Sequence, residues 1–326
     1  MSILRLAAVL ILLPALVQAQ CFGPSLADRL SPAQAAGIAA RVAATPHPEG
    51  LLWEATRDGA AITLLGTIHI WDQRLPALAG EVRPLLEGAA VALFETTESD
   101  QAAMMERMAQ DPALTTIGEG PGLNEILAPG EWARLAAMAR DYGIPPFVAA
   151  RMRPWLLATT LSVPACALEP IREGRLGLDF MLMAAANEAG VPVRALEPWD
   201  TVFRLFDALG PEGEIALLRS ALVAPELGEE MLVATLDGYF AGEVAAIWEL
   251  NRVALEESGA GDALALMDAA EEHLLAGRNR AWLPVIEEAA RPGTRILVAA
   301  GAGHLPGEDG LLSLLERAGW VLRRLD

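Results

Sequence analysis

Two histidines of this 326-residue chain stand in the same local setting. His69 closes Gly66-Thr67-Ile68-His69 directly after the apolar run Ala61-Ile62-Thr63-Leu64-Leu65, and His304 closes Gly301-Ala302-Gly303-His304 after Arg295-Ile296-Leu297-Val298-Ala299-Ala300. Short apolar runs with β-branched residues, broken by glycine, read as buried strands. Ligands of open α/β sheets collect just beyond the carboxyl ends of such strands. A third run, Val91-Ala92-Leu93-Phe94-Glu95, ends in a carboxylate. Two imidazoles and one carboxylate at one sheet edge can ligate a divalent ion, or can orient and deprotonate a water. Gly66 and Gly301 would let the backbone approach a bound cofactor closely. Arg278, in Arg278-Asn279-Arg280, can bind a substrate carboxylate or stabilise an oxyanion.

Each of these residues also has an ordinary reading. A single histidine after a strand is commonly a structural hydrogen-bonding group, and a strand-ending acid such as Glu95 can be solvated or cap the next helix. Arg278 reads as lying late in a helix, where cations suit the dipole. The repeated setting separates His69 and His304 from the other two histidines. His47, between Pro46 and Pro48, belongs to a surface turn, and His273, in Glu271-Glu272-His273, belongs to a solvated helix face.

The elements that must position these groups follow from the pattern around them. Leu51 to Thr56 alternates and is joined to the Ala61 run through Arg57-Asp58-Gly59-Ala60, a hairpin signal. The sheet therefore opens with an antiparallel edge before turning parallel. Helices are expected over Pro32–Ala44, Pro76–Gly88, Glu131–Tyr142, Leu178–Ala189, Glu229–Glu257, Asp262–Ala289 and Gly310–Ala318, with glycine stops at Gly143 and Gly190. Val193 to Glu197 is a further short strand whose final carboxylate is expected at the same edge as Glu95, and Trp320 to Leu325 is a last strand. The fold class expected is α/β: a central mixed, mostly parallel sheet with an antiparallel hairpin edge, covered by helices. A large helical insertion occupies roughly residues 102–290 of a single domain spanning 20–326.

The formal charge of −19 argues against nucleic acid as a partner, since phosphates need a basic face. All 24 basic residues are arginine, which excludes Schiff-base, P-loop and lysine general-base chemistry. Met1 to Arg5 supplies one positive charge before the apolar run Leu6–Val17, and Val17-Gln18-Ala19 resembles a cleavage site. Residues 1–19 thus read as a secretory signal, too short to span a bilayer, and the mature protein is expected in the periplasm or outside the cell, free of the membrane. In an oxidising compartment the two cysteines, Cys21 and Cys166, are expected to pair. Closing so long a loop is worth roughly 3–5 kcal/mol in the chain-entropy model.

Taken in order, Gly66-Thr67-Ile68-His69, Phe94-Glu95, Gly177-Leu178-Asp179, Ala195-Leu196-Glu197, Arg278-Asn279 and Gly301 to Gly310, with Gly319-Trp320-Val321 at the end, resemble the TraB/PrgY/GumN family, from about residue 50 onward. That resemblance implies a fold similar to the Tiki metal-dependent proteases, the erythromycin-esterase proteins and the haem-binding ChaN-like proteins. By position it implies His69, His304 and Glu95 as metal ligands and catalytic groups, with Arg278 matching the family's arginine. The function expected is a metal-dependent hydrolase, peptidase-like, acting on a peptide or other small amide or ester substrate. Its cofactor would be a divalent ion (manganese, cobalt or zinc), ahead of haem. The alternative is a non-catalytic periplasmic binding protein for a peptide, haem or metal ligand.

Overall fold

The computed structural model describes residue 21 and residues 23–222, 225–257 and 263–326; the expected signal segment lies outside them. At its centre is one sheet of six strands in the order β4-β3-β5-β2-β1-β6. The strands are β1 (Leu52–Arg57), β2 (Ala60–Thr67), β3 (Ala92–Phe94), β4 (Val193–Ala195), β5 (Arg295–Gly301) and β6 (Val321–Arg324). β4, β3, β5 and β2 run parallel, whereas β1 pairs antiparallel with both β2 and β6. The four strands expected from their apolar runs therefore share one sheet, and the architecture is α/β, mixed and mostly parallel. The hairpin turns on Asp58 and Gly59, whose φ values of 50° and 79° are those of a type I′ connection. β1 is not the outermost strand, because β6 pairs along its free side and becomes the edge.

Both sheet faces are covered. Along β5 the side chains alternate: Leu297 and Ala299 enter one core with Leu75, Val82, Leu86, Leu178 and Leu182. Ile296, Val298 and Ala300 enter the other with Trp282, Ile286, Leu311, Leu312 and Leu315. The helices Leu75–Glu87 and Leu178–Ala189 thus lie on one face, and Gly277–Ala289 and Leu311–Arg317 on the other. Period-2 alternation with both faces apolar is what a central parallel strand requires.

Between β3 and β5 the chain is largely helical. The helices Leu123–Ile126, Pro129–Asp141, Pro154–Leu161 and Thr201–Ala221 enclose a separate core around Leu123, Leu135, Leu157 and Leu218. The single helix expected over Glu229–Glu257 is two, Pro225–Phe240 and Val244–Glu257. They are broken at Gly242, whose φ of 73° is left-handed and whose carbonyl accepts from Gly50 N. Asp262–Ala289 is likewise divided, into Ala263–Ala270, a π-helical turn Glu271–Ala276, and Gly277–Ala289. Among the described residues no helix is long and apolar enough to cross a membrane. Cys21 and Cys166 are bonded, with Cα atoms 5.2 Å apart.

Candidate functional site

Register brings the strand ends level. Phe94 of β3 lies beside Ala299 of β5 and Ala195 of β4, while Thr67 of β2 lies beside Gly301. The residues that follow these positions, Glu95, Glu197, His69 and His304, therefore emerge at one edge. Glu95, His69 and His304 wall one end of a cavity of about 730 Å³, together with Arg278 and Gly301.

His69 follows β2 in a loop fixed from the side. Gly177 at the head of the helix Leu178–Ala189 packs so closely that a Cβ there would overlap the carbonyl oxygens of Ile68 and His69, and Leu178 N donates to Ile68 O at 2.9 Å. In the first turn, buried Asp179 faces the loop: it accepts from the Thr67 hydroxyl, and its Oδ2 lies 2.8 Å from His69 Nδ1. That hydrogen bond, with the charge of Asp179 and then Glu95, raises the His69 pKa to about 9, against the opposing effect of burial. The side chain is 63% exposed, so solvent screens the attraction.

His304 is held differently. It ends the 3₁₀ turn after β5, 3% exposed, its ring 4.3 Å from that of Trp282. Asn279 Nδ2 donates to His304 O at 3.2 Å and Asp309 O at 2.9 Å. This fixes the amide so that its Oδ1 accepts from His304 Nδ1 at 2.6 Å. The proton thus sits on Nδ1 and the lone pair on Nε2. Burial lowers the His304 pKa to about 3, so the ring is neutral at pH 7.

Glu95 lies between the two rings, its Oε1 4.0 Å from His69 Nε2 and 3.8 Å from His304 Nε2. Gly301 N donates to the same oxygen at 2.7 Å. Gly301 is thereby part of the site: a Cβ on it would stand 3.2 Å from Glu95 Oε1. Gly66 is not; a Cβ there would meet Ala302 and Leu305 at 3.0 Å, so it serves the packing of β2 against the turn that carries His304. Burial pushes the Glu95 carboxyl up, but His304, Arg278 and His69 together hold it down at about 2.

Arg278 lies in the first turn of Gly277–Ala289, directly after the π-helical turn, rather than late in a helix. Its role in the fold is not to complement a helix C-terminus. It reaches Glu95 Oε2 at 2.6 Å and, through two nitrogens, both oxygens of Glu197. Burial alone would lower its pKa, and the bonds to Glu197 and Glu95 raise it. His69, Glu95, His304, Arg278 and Gly301 are therefore brought together. Asp179, Asn279 and Trp282 complete the site without standing out as functional by type and spacing, and Glu197 joins it at the edge expected for its strand end. Their shared signal is a polar side chain in the first turns of a helix, or at a strand end, where the surrounding pattern is apolar. His47 and His273 stand apart from the site.

The donor set of two imidazoles and a carboxylate has the chemistry of a divalent-ion site, and each imidazole Nδ1 is tied to an oxygen acceptor, the arrangement that turns Nε2 toward an ion. Among the described residues, no three His, Cys, Asp or Glu side chains are drawn close enough to hold an ion as they stand. Arg278 Nη1 donates to His304 Nε2 at 3.3 Å, so this lone pair is already engaged.

The model of the TraB/PrgY/gumN family matches residues 51–324. No curated protein matches the chain significantly.

Proposed function

The chain belongs to the TraB/PrgY/gumN family, and from that premise we propose that it is a hydrolase of amide or ester bonds in a peptide or other small substrate, assisted by a divalent ion. One observation carries this: two imidazoles, each anchored at Nδ1 by an oxygen acceptor, turn Nε2 toward the same carboxylate oxygen at the wall of a cavity of about 730 Å³. His69 Nε2, His304 Nε2 and Glu95 would hold manganese, cobalt or zinc, which when bound polarises a carbonyl and acidifies a water. The remaining steps belong to the chain's own groups. Asp179 and Asn279 keep the imidazoles in one orientation, Arg278 donates to the oxygen on which charge develops, and Glu95, ionised at pH 7, orients the attacking water. The expected signal segment and the disulfide support placing this activity in the periplasm or outside the cell.

The test is metal analysis of the purified mature protein, with turnover of a peptide and ester panel in EDTA and in added manganese, cobalt or zinc. Activity that EDTA abolishes, a divalent ion restores, and Glu95→Gln and His69→Ala each lower by a factor on the order of 100 or more is expected. No turnover under any metal condition would overturn the reading.

A second reading, ligand binding without catalysis, is favoured by one observation: the Arg278 guanidinium already holds the cationic position beside His304. It predicts retained affinity for a peptide, metal or haem ligand, lost in His69→Ala, with no turnover.

A further inference from the structure

Arg278 has five N–H groups, and all five are engaged. Nε donates to Glu197 Oε2 at 2.9 Å, Nη2 to Glu197 Oε1 and Glu95 Oε2 at 2.6 Å each, and Nη1 to Leu274 O at 3.0 Å and His304 Nε2 at 3.3 Å. The side chains of Arg278, Glu95 and Glu197 are only 16%, 13% and 15% exposed, so the cluster is largely desolvated. An arginine in this state cannot reach a substrate oxygen without releasing an acceptor. Two of its bonds go to the trio of His69, Glu95 and His304, and the longer of them, the longest of the five, is the one to His304 Nε2. The paired contact to Glu197 is different in kind: two parallel bonds from a planar fork to one carboxylate are short, directional and costly to break in a desolvated setting.

Glu197 is itself fixed. β4 lies parallel beside β3, with Leu196 N donating to Phe94 O at 2.7 Å, which sets Glu197 at the level of the Glu95 strand end. Trp282 Nε1 donates to Glu197 Oε2 at 2.9 Å, and the Trp282 ring lies beneath the guanidinium, 4.7 Å from its carbon.

Resting on the hydrolase reading, we infer that Glu197 is a positioning residue: it pins the Arg278 guanidinium from behind so that the N–H now resting on His304 Nε2 is the one handed to the substrate's carbonyl oxygen. When a substrate or ion engages His304, the guanidinium does not have to move; one donor is released at the place where charge develops. Glu197 therefore takes no part in the reaction and touches no substrate. A lysine could not replace the arginine, because an ammonium has no fork to be held by two atoms while a third points away.

The pin can be tested without knowing the substrate, by replacing the side chain with its free head group. Arg278→Ala leaves a guanidinium-shaped space bounded by Glu197 and Glu95. Calorimetric titration of this variant with millimolar guanidinium is expected to show saturable binding, weakened about ten-fold or more when Glu197→Gln is added, as befits loss of a charge-assisted bond pair. Equal binding in the single and double variants would overturn the inference. In the otherwise native protein, the Arg278 Nε–H should give a resolved, slowly exchanging ¹⁵N resonance that Glu197→Gln turns fast-exchanging; unchanged exchange would also overturn it. Where turnover is measurable, guanidinium should restore it to Arg278→Ala only with Glu197 intact, through kcat rather than KM. If no substrate is ever turned over, the hydrolase reading fails, and the titration and the exchange measurement still decide the role of Glu197.

Discussion

His69 and His304 occupy equivalent places in their motifs, yet their environments drive them to opposite sides of neutrality. A carboxylate behind Nδ1 and an open cavity in front favour the charged form of His69, while an amide behind Nδ1 and burial favour the neutral form of His304. The consequences for stability have definite signs. His69, with its pKa raised to about 9, adds stability that is complete below the unfolded value near 6.5 and is lost as pH rises from 6.5 toward 9. His304, lowered to about 3, withdraws stability as pH falls from 6.5 toward 3, and Glu95, lowered to about 2, withdraws more as pH falls below about 4.5. Urea melts across pH should therefore be most favourable near pH 6.5, and His304→Gln should flatten the decline between 6.5 and 4.5. A second consequence concerns metal uptake. An ion can bind His69 Nε2 only after its proton leaves, so titration of the apo protein with zinc at pH 7 in buffers of different ionisation enthalpy should report release of about one proton. Asn279→Ala should be among the most destabilising single changes in the site. It unpairs His304 Nδ1 and two carbonyls, at about 1–3 kcal/mol for each buried group left without a partner.

At the scale of elements, close approach by glycine sets the site. Gly177 lets the helix Leu178–Ala189 press against the His69 loop, where even a methyl group would collide with two backbone oxygens. Gly177→Ala should cost several kcal/mol, above the ordinary range for point changes, and should displace Asp179 from His69. Gly80, mid-helix with open space where a Cβ would stand, is the control: Gly80→Ala should stabilise by about 0.5–1 kcal/mol in thermal melts. The same elements explain what local pattern can and cannot convey. Strand ends are legible because an apolar run that stops at Gly or Glu is a local signal, and His69, Glu95 and His304 each sit at or just past one. Glu197 shares that signal, whereas Asp179 and Asn279 gain their roles from the approach of helices, which no local pattern encodes. Arg278 stands out by type, but its place at the start of a helix is hidden, because the π-helical turn before it leaves no mark in apolar spacing. The break at Gly242 is a glycine stop like those read at Gly143 and Gly190, and its carbonyl accepts from Gly50 N.

Over the whole molecule, the helical region between β3 and β5 contributes more than bulk. Its helices Pro225–Phe240 and Val244–Glu257 supply the cavity wall facing the site, through Tyr239, Val244 and Trp248 among others. Tyr239 also donates to Gly66 O at 2.8 Å, linking that wall to β2. The Cys21–Cys166 bond sits in a small apolar cluster with Ala167, Leu232 and Leu236, and Ile68 and Ile70, the neighbours of His69 on either side, pack against the same cluster. Reduction should lower global stability by about 5 kcal/mol at most in the chain-entropy model. Hydrogen exchange should rise more at residues 68–70 than within β2, as expected for local opening beside a removed brace. The bond therefore couples thiol chemistry to the order of one imidazole. A chain folded under reducing conditions is expected to keep its sheet and to hold the His69 loop less firmly, so that the redox state of two sulfurs is read out in the order of a single ring.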